Sequence, residues 1–190
     1  LALGQSISTS GSWSEWRILG SFFRMNYSFD NKYLVEVNGR YDGSSKFPSS
    51  QRYAFFPSIS AGWRLSEESF WKVPDKIISD LKLRASYGSL GNGNINPYVF
   101  NESFGIARSG KILNGVRPQY TNQPAVLPAG LTWETSTTTN VGVDLFLVDQ
   151  RLSVIGDAYI RKTTDMFTAG VTLPAVFGAS SPRGNYADLE

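Results

Sequence analysis

The sequence contains no cysteine and no histidine. The first absence excludes disulfides, thiolate metal centres and cysteine nucleophiles, and the second removes the commonest general base and metal ligand at neutral pH. A zinc enzyme or a Ser-His-Asp hydrolase has nothing to be built from. Charge is scarce as well: Asp, Glu, Lys and Arg make up 18% of the 190 residues and the net charge is +2, where soluble domains carry about a quarter charged. No basic run tracks a phosphate backbone or offers a polybasic patch to a membrane surface, so no nucleic-acid partner is expected. No window holds about 18 consecutive apolar residues, so no transmembrane helix is expected. The opening stretch LALGQSISTSGSWSEW lacks the basic region, apolar run and cleavage site of a secretory signal.

What is present points to β-structure. Aromatics make up 14% of the chain, with 18 glycines and 9 prolines, a composition suited to many strands and turns. Six segments alternate with the period of a strand. Residues 17–29 place Leu19, Phe23, Met25, Tyr27 and Phe29 on one face, and Arg24, Asn26 and Ser28 on the other. DNK then makes a tight turn, because Asp and Asn bond their own backbone and tolerate unusual dihedrals. Tyr33, Val35 and Val37 oppose Glu36, Asn38 and Arg40 in the next strand, which runs to about Asp42. Residues 53–65 and 80–88 continue the alternation, and so do the stretches STTTNVGVDLFLV and LSVIGDAYIRK on either side of the turn DQR. SEESFWKVPDKIIS begins with a plausible helix cap. The stretch from Ser89 to Leu131 and the stretch after Lys162 lack sustained periodicity and are expected to be long loops.

Short connections therefore alternate with long ones, which is the pattern of an up-and-down meander with one short-turned rim and one long-looped rim. A soluble sandwich alternates too, so alternation alone leaves both open. Two features favour the barrel. Every charge in the strand middles (Arg24, Glu36, Arg40, Arg64, Lys82, Arg84, Asp144, Asp157, Arg161) shares its face with Ser, Asn and Gly, and the opposite face carries none. Phe22, Leu34, Phe56, Phe146, Ile155 and Tyr159 break the parity on the polar side, and Arg17 and Lys162 at strand ends break it on the apolar side. The second feature is that aromatics bracket the aliphatic residues on the apolar face: Tyr33 and Tyr41 around Val35 and Val37, and Tyr53 with Phe55 against Trp63 around Ile59 and Ala61. About eight residues at ~3.3 Å, tilted by about 40°, span roughly 20 Å, close to the height of the apolar band between aromatic girdles.

The stretches SFFRMNYSFDNKYLVEVNGRYDGSSKF, YAFFPSISAGWRLSEESFW, LKLRASYGSLGN, LTWETSTTTNVGVDLFLVDQRLSVIGDAYIRKTTDMF and LPAVFGASSPRGNYADLE resemble the barrel of SusC/RagA-type TonB-dependent outer-membrane transporters. They cover about two thirds of the chain in family order. The resemblance implies an all-β fold: about six antiparallel, up-and-down transmembrane strands of a roughly 22-stranded β-barrel, with long extracellular loops and short periplasmic turns. The plug domain, TonB-contacting segment and remaining strands are not in this chain, so residues 1–190 are expected to be part of a longer one. It further implies import of a large nutrient, a glycan or a peptide, across the outer membrane of a Gram-negative bacterium. A SusD-like lipoprotein would cap the barrel, the TonB complex would supply energy, and outer-membrane lipid would surround it. A siderophore receptor without the lipoprotein shares the fold, but DGSSKF and LPAVFGASSP argue against it; a soluble secreted β-sandwich carbohydrate-binding module is the alternative from another class.

No cofactor, metal or catalytic constellation is expected. DGSSKF has too few carboxylates for calcium and reads as a turn whose Asp and Ser side chains bond backbone. GSLGNGN follows a strand without a helix or a phosphate-binding Lys and reads as a rim turn. Glu67 and Glu68 read as solvated turn residues, since glycoside hydrolysis needs carboxylates facing one another at a set separation. The candidates for ligand contact are Asn92, Asn94, Asn96, Tyr98, Arg108, Tyr120 and Trp133 in the long loop, a mixture of amide donors and aromatic faces, with Glu36, Asn38 and Arg40 on the polar wall.

Overall fold

A computed structural model describes residues 9, 11–122, 124, 126–128 and 130–190. Most of the opening stretch 1–16, where no secretory signal is expected, lies outside these described residues. Nine strands form: β1 Ile18–Phe29, β2 Tyr33–Ser44, β3 Tyr53–Arg64, β4 Ile78–Asn92, β5 Ile106–Arg108, β6 Gln119–Thr121, β7 Glu134–Leu147, β8 Leu152–Ala169 and β9 Arg183–Leu189. Seven make one sheet in the order β1-β2-β3-β4-β7-β8-β9, and β5 and β6 pair apart from it. All neighbours are antiparallel. The result is the expected up-and-down meander, open at β1 and β9 within these residues.

The turns explain the pairing. Asp30 and Asn31 both take left-handed φ, 50° and 53°, and the Lys32 N–H donates to Phe29 O at 3.0 Å. Two left-handed residues give a turn whose twist matches the strands it joins. The second tight turn starts one residue before DQR: Val148, Asp149 and Gln150 have φ of 54°, 50° and 64°, an unusual place for a β-branched residue.

Register carries each face across six of the seven strands, β1 to β8. Tyr27, Val35, Ala61, Ala85, Val141 and Ala158 lie side by side on one face, and Arg24, Asn38, Ser58, Gly88, Thr138 and Arg161 on the other. Slipping any strand by one residue would exchange its faces. The apolar face has no second layer over it among the described residues: Met25, Val141 and Ile160 are exposed by 60%, 60% and 66%. That is incompatible with a sandwich, whose inner faces bury one another.

Three expectations require correction. The stretch after Lys162 is not all loop: β8 continues to Ala169, and β9 returns beside it. Register shifts between Thr163 and Phe167, with Asp165 at φ 57°, erase the period-2 pattern there while pairing persists. GSLGNGN is not a turn throughout, because β4 runs on to Asn92. Finally, the long connection 93–133 carries the β5–β6 hairpin, closed at Asn114 and Gly115, both with left-handed φ, between Leu113 and Val116.

Buried apolar packing sits at the long-loop rim rather than in the middle of the sheet. Phe47, Phe56, Ile95, Leu131 and Trp133 form a cluster, with Ala54, Val99, Phe100 and Phe167 against it. It joins the connection 45–52 to both ends of the connection 93–133.

Candidate functional site

On the polar face the strand charges meet one another. Arg24 Nη2 lies 2.6 Å from Glu36 Oε2, and Asn38 Nδ2 donates to Glu36 Oε1 at 2.8 Å and to Ser58 Oγ at 3.3 Å. Arg40 Nε donates to Asp42 Oδ1 at 2.8 Å. All three wall candidates therefore hold partners within the wall. Further toward the short-turned rim, Arg84 bridges Asp144 and Asp157, and Arg64 pairs with Asp80 at 3.0 Å. The arrangement is a lattice of paired charges and amides suited to a wet surface. Leu34, Glu36, Lys82 and Arg84 line a depression of about 490 Å³ in it.

The loop candidates fall in several places. Arg40, Asn92, Asn94 and Trp133 border one cavity of about 320 Å³ beside Asp42 and Lys46. Within it, Asn92 is committed locally: its Nδ2 donates to Glu134 Oε1 at 3.3 Å, and its Oδ1 accepts from the Asn94 N–H at 3.1 Å. Trp133 is 7% exposed. Its ring packs 4.7 Å from Phe47 and edge-on to Phe56, and its indole N–H donates to Arg52 O at 3.3 Å. It holds the rim core together. Tyr98, at φ 66°, ties the first described segment to the loop: its hydroxyl donates to Glu15 O at 2.8 Å and accepts from Glu15 N–H at 3.1 Å. Asn96 is exposed two residues before it. Arg108 and Tyr120 stand on the solvent-exposed β5–β6 hairpin, apart from the main sheet.

The wall also has a feature that the candidate set omitted. Phe22, 85% exposed on the polar face, lies with Phe56, Leu90, Arg40 and Asn38 around a hollow of about 400 Å³. Its signal in the sequence was the break in parity at Phe22 and Phe56.

In DGSSKF, Ser44 Oγ accepts from the Lys46 N–H at 3.3 Å, the expected side-chain-to-backbone turn. Asp42 is held by the Arg40 side chain instead of the backbone, and Phe47 is fully buried. Among the described residues no group of three or more acidic side chains could hold a metal.

At the short-turned rim, Glu68 is more than a solvated turn residue. The connection 65–77 starts with a 3-10 turn, Leu65–Glu67, and returns Glu68 to the apolar face. There its Oε1 accepts from Tyr33 Oη at 2.6 Å and from Trp63 Nε1 at 3.0 Å. Tyr33 and Trp63 are register partners and stack with centroids 6.4 Å apart and planes 14° from parallel. The Tyr33 hydroxyl, and next the Trp63 indole, hold the Glu68 carboxyl below the usual glutamate range.

Comparison with known proteins places this sheet among TonB-dependent receptors. Residues 4–188 match the sequence model of the family described as TonB dependent receptor-like, beta-barrel. TonB-dependent receptor P26 of Formosa agariphila is 34% identical over 181 residues, covering 95% of this chain and 18% of that protein. TonB-dependent receptor SusC of Bacteroides thetaiotaomicron is 35% identical over 159 residues, 80% of this chain and 15% of SusC. Among solved structures, the RagAB peptide transporter superposes with a TM-score of 0.73 at 28% identity, covering 92% of this chain and 19% of that chain. The chain thus spans less than a fifth of each of these relatives.

Proposed function

The chain belongs to the TonB-dependent receptor β-barrel family, and from that premise we propose that it forms part of the wall and extracellular rim of a SusC/RagA-type importer in the outer membrane of a Gram-negative bacterium. The seven-stranded sheet is one arc of a barrel of roughly 22 strands, with its apolar face against lipid and its polar face toward a water-filled lumen. The open edges at β1 and β9 pair with further strands of the parent, because a bilayer tolerates no unpaired strand edge. The observation that carries this reading is the uncovered apolar face, continuous across six strands and free of charge in the strand middles.

The work is transport, not bond-making. A SusD-like lipoprotein caps the long-looped rim, and the TonB complex acts on parts of the parent outside this chain. The cargo is a large nutrient, a peptide or a glycan; the likeness to a peptide transporter supports the peptide. The test is to express the full-length parent, fractionate cells and follow heat-modifiable gel mobility. Uptake of labelled peptides and oligosaccharides is then compared in cells with and without it. Recovery in the outer membrane with a folded-barrel shift and TonB-dependent uptake is expected. A soluble parent with no such shift overturns the reading.

A further inference from the structure

We propose that Glu68, Tyr33 and Trp63 form a headgroup site for an amine-bearing phospholipid of the phosphatidylethanolamine type. The inference rests on the reading that the apolar face meets lipid. Tyrosine and tryptophan gather where hydrocarbon gives way to headgroups, each with an apolar body and a polar tip. Ordinarily those polar tips turn to water or headgroup. Here both point to one carboxylate oxygen, Oε1 of Glu68, at 2.6 and 3.0 Å. Oε2 has no hydrogen-bond partner among the described residues.

The carboxylate is ionised at neutral pH, and the two donors stabilise that form further. Lys32 acts on this anion electrostatically but makes no hydrogen bond to it among the described residues, so one oxygen at the edge of the lipid face is open to a cationic donor from outside the chain. A primary ammonium satisfies it twice: N–H groups donate to Oε2 in a charge-assisted bond, and the charge lies close to the half-exposed rings of Tyr33 and Trp63, which attract cations. Phe29, 6.4 Å from Tyr33, extends the row of rings for the acyl chains. Lys32, in the adjoining turn, pairs with Asp30 at 3.2 Å and is close enough to act electrostatically on Glu68, so its remaining N–H groups can donate to the phosphate one ethylene away from the ammonium. A phosphatidylglycerol headgroup carries no cation, and a quaternary choline has no N–H to donate.

The experiment uses the purified full-length parent in mixed micelles containing equal phosphatidylethanolamine, phosphatidylcholine and phosphatidylglycerol, with bound lipid read by native mass spectrometry. Wild type should enrich phosphatidylethanolamine over phosphatidylglycerol by roughly fivefold to tenfold, the scale of one charge-assisted hydrogen bond at an interface. Glu68→Gln, folded by its heat-modifiable mobility, should lose that enrichment. Free ethanolamine should not displace the lipid; displacement would assign the site to soluble amines and overturn the proposal. No enrichment in wild type, or unchanged enrichment in Glu68→Gln, also overturns it. If Glu68→Gln does not fold, wild type alone decides: enrichment must fall as pH drops below the ordinary glutamate range, and constancy there refutes the site. A parent that folds in the membrane without lipid preference refutes this site alone, whereas a soluble parent refutes the transporter reading too.

Discussion

Arg84 on β4 reaches Asp157 on β8, two strands away, with Nη2 3.2 Å from Oδ1, because the residue between them on β7 is Gly142. A Cβ there would lie 2.5 Å from Asp157 Oδ1 and 2.9 Å from Arg84 Nη2. Gly142→Ala should therefore part the pair. Both side chains are about one-third exposed, so the cost is expected to be about 0.5–1 kcal/mol, measured as a shift in the unfolding midpoint of the parent barrel in lipid. The difference should shrink in high salt. A larger cost that salt leaves unchanged would point to displaced backbone instead.

Facing can be tested by placing arginine on each face of the sheet. Val35→Arg or Val143→Arg puts a cation on the apolar face and should destabilise the folded parent by about 2–4 kcal/mol near the midplane. Asn38→Arg, beside Glu36 on the polar face, should be tolerated. Equal tolerance at all three positions would contradict the assignment of faces.

The rim core gives a sharper contrast. Trp133→Ala empties the space between Phe47 and Phe56 and should cost about 3–5 kcal/mol, with faster proteolysis within 93–133. Tyr120→Ala, on the exposed hairpin, should change stability by less than about 0.5 kcal/mol. Binding of cargo can be measured on the same two variants, which separates packing from contact.

The contact of Glu68 with Tyr33 and Trp63 predicts an acid limb in stability. Its carboxyl is held below the ordinary value of 4.5, so the ionised form is the one the fold favours. Its contribution is complete above the ordinary value and is lost as pH falls through the lower, folded-state value. Glu68→Gln should flatten the dependence of the unfolding midpoint on pH in that window. Persistence of the limb in the variant would assign it to another carboxylate.

Strands β1–β4, β7 and most of β8, with their two faces, were legible because period-2 alternation outweighs the parity breaks at residues such as Phe22 and Phe56. The bulge around Asp165 hid the upper half of β8 and its partner β9, whose RGNYADL alternates no apolar side chains. Asn114-Gly115 carried a hairpin signal, but the flanking strands, Ile106–Arg108 and Gln119–Thr121, are too short to show a period. At the site, the loop candidates were chosen by residue type, and type does not separate Trp133, which is buried, from Tyr120, which is exposed. Glu68 was unreadable for another reason: its role depends on Tyr33 standing opposite Trp63, a long-range fact that local sequence does not contain.

Packing at the long-loop rim has a mechanical consequence. Phe47, Phe56, Ile95, Leu131 and Trp133 tie the connection 45–52 to both ends of the connection 93–133, so in the proposed barrel the mouth along this arc is set by side-chain volume. Widening here for a bulky cargo would have to break that cluster. The arm at 104–121 lacks such packing: its apolar side chains Phe104, Ile106, Ile112, Leu113, Val116 and Tyr120 all stand at least half bare. In the proposed barrel the lip is braced at this cluster, while the arm at 104–121 and the connection 170–182, where Val171, Val176 and Phe177 are also at least half exposed, stand outside it.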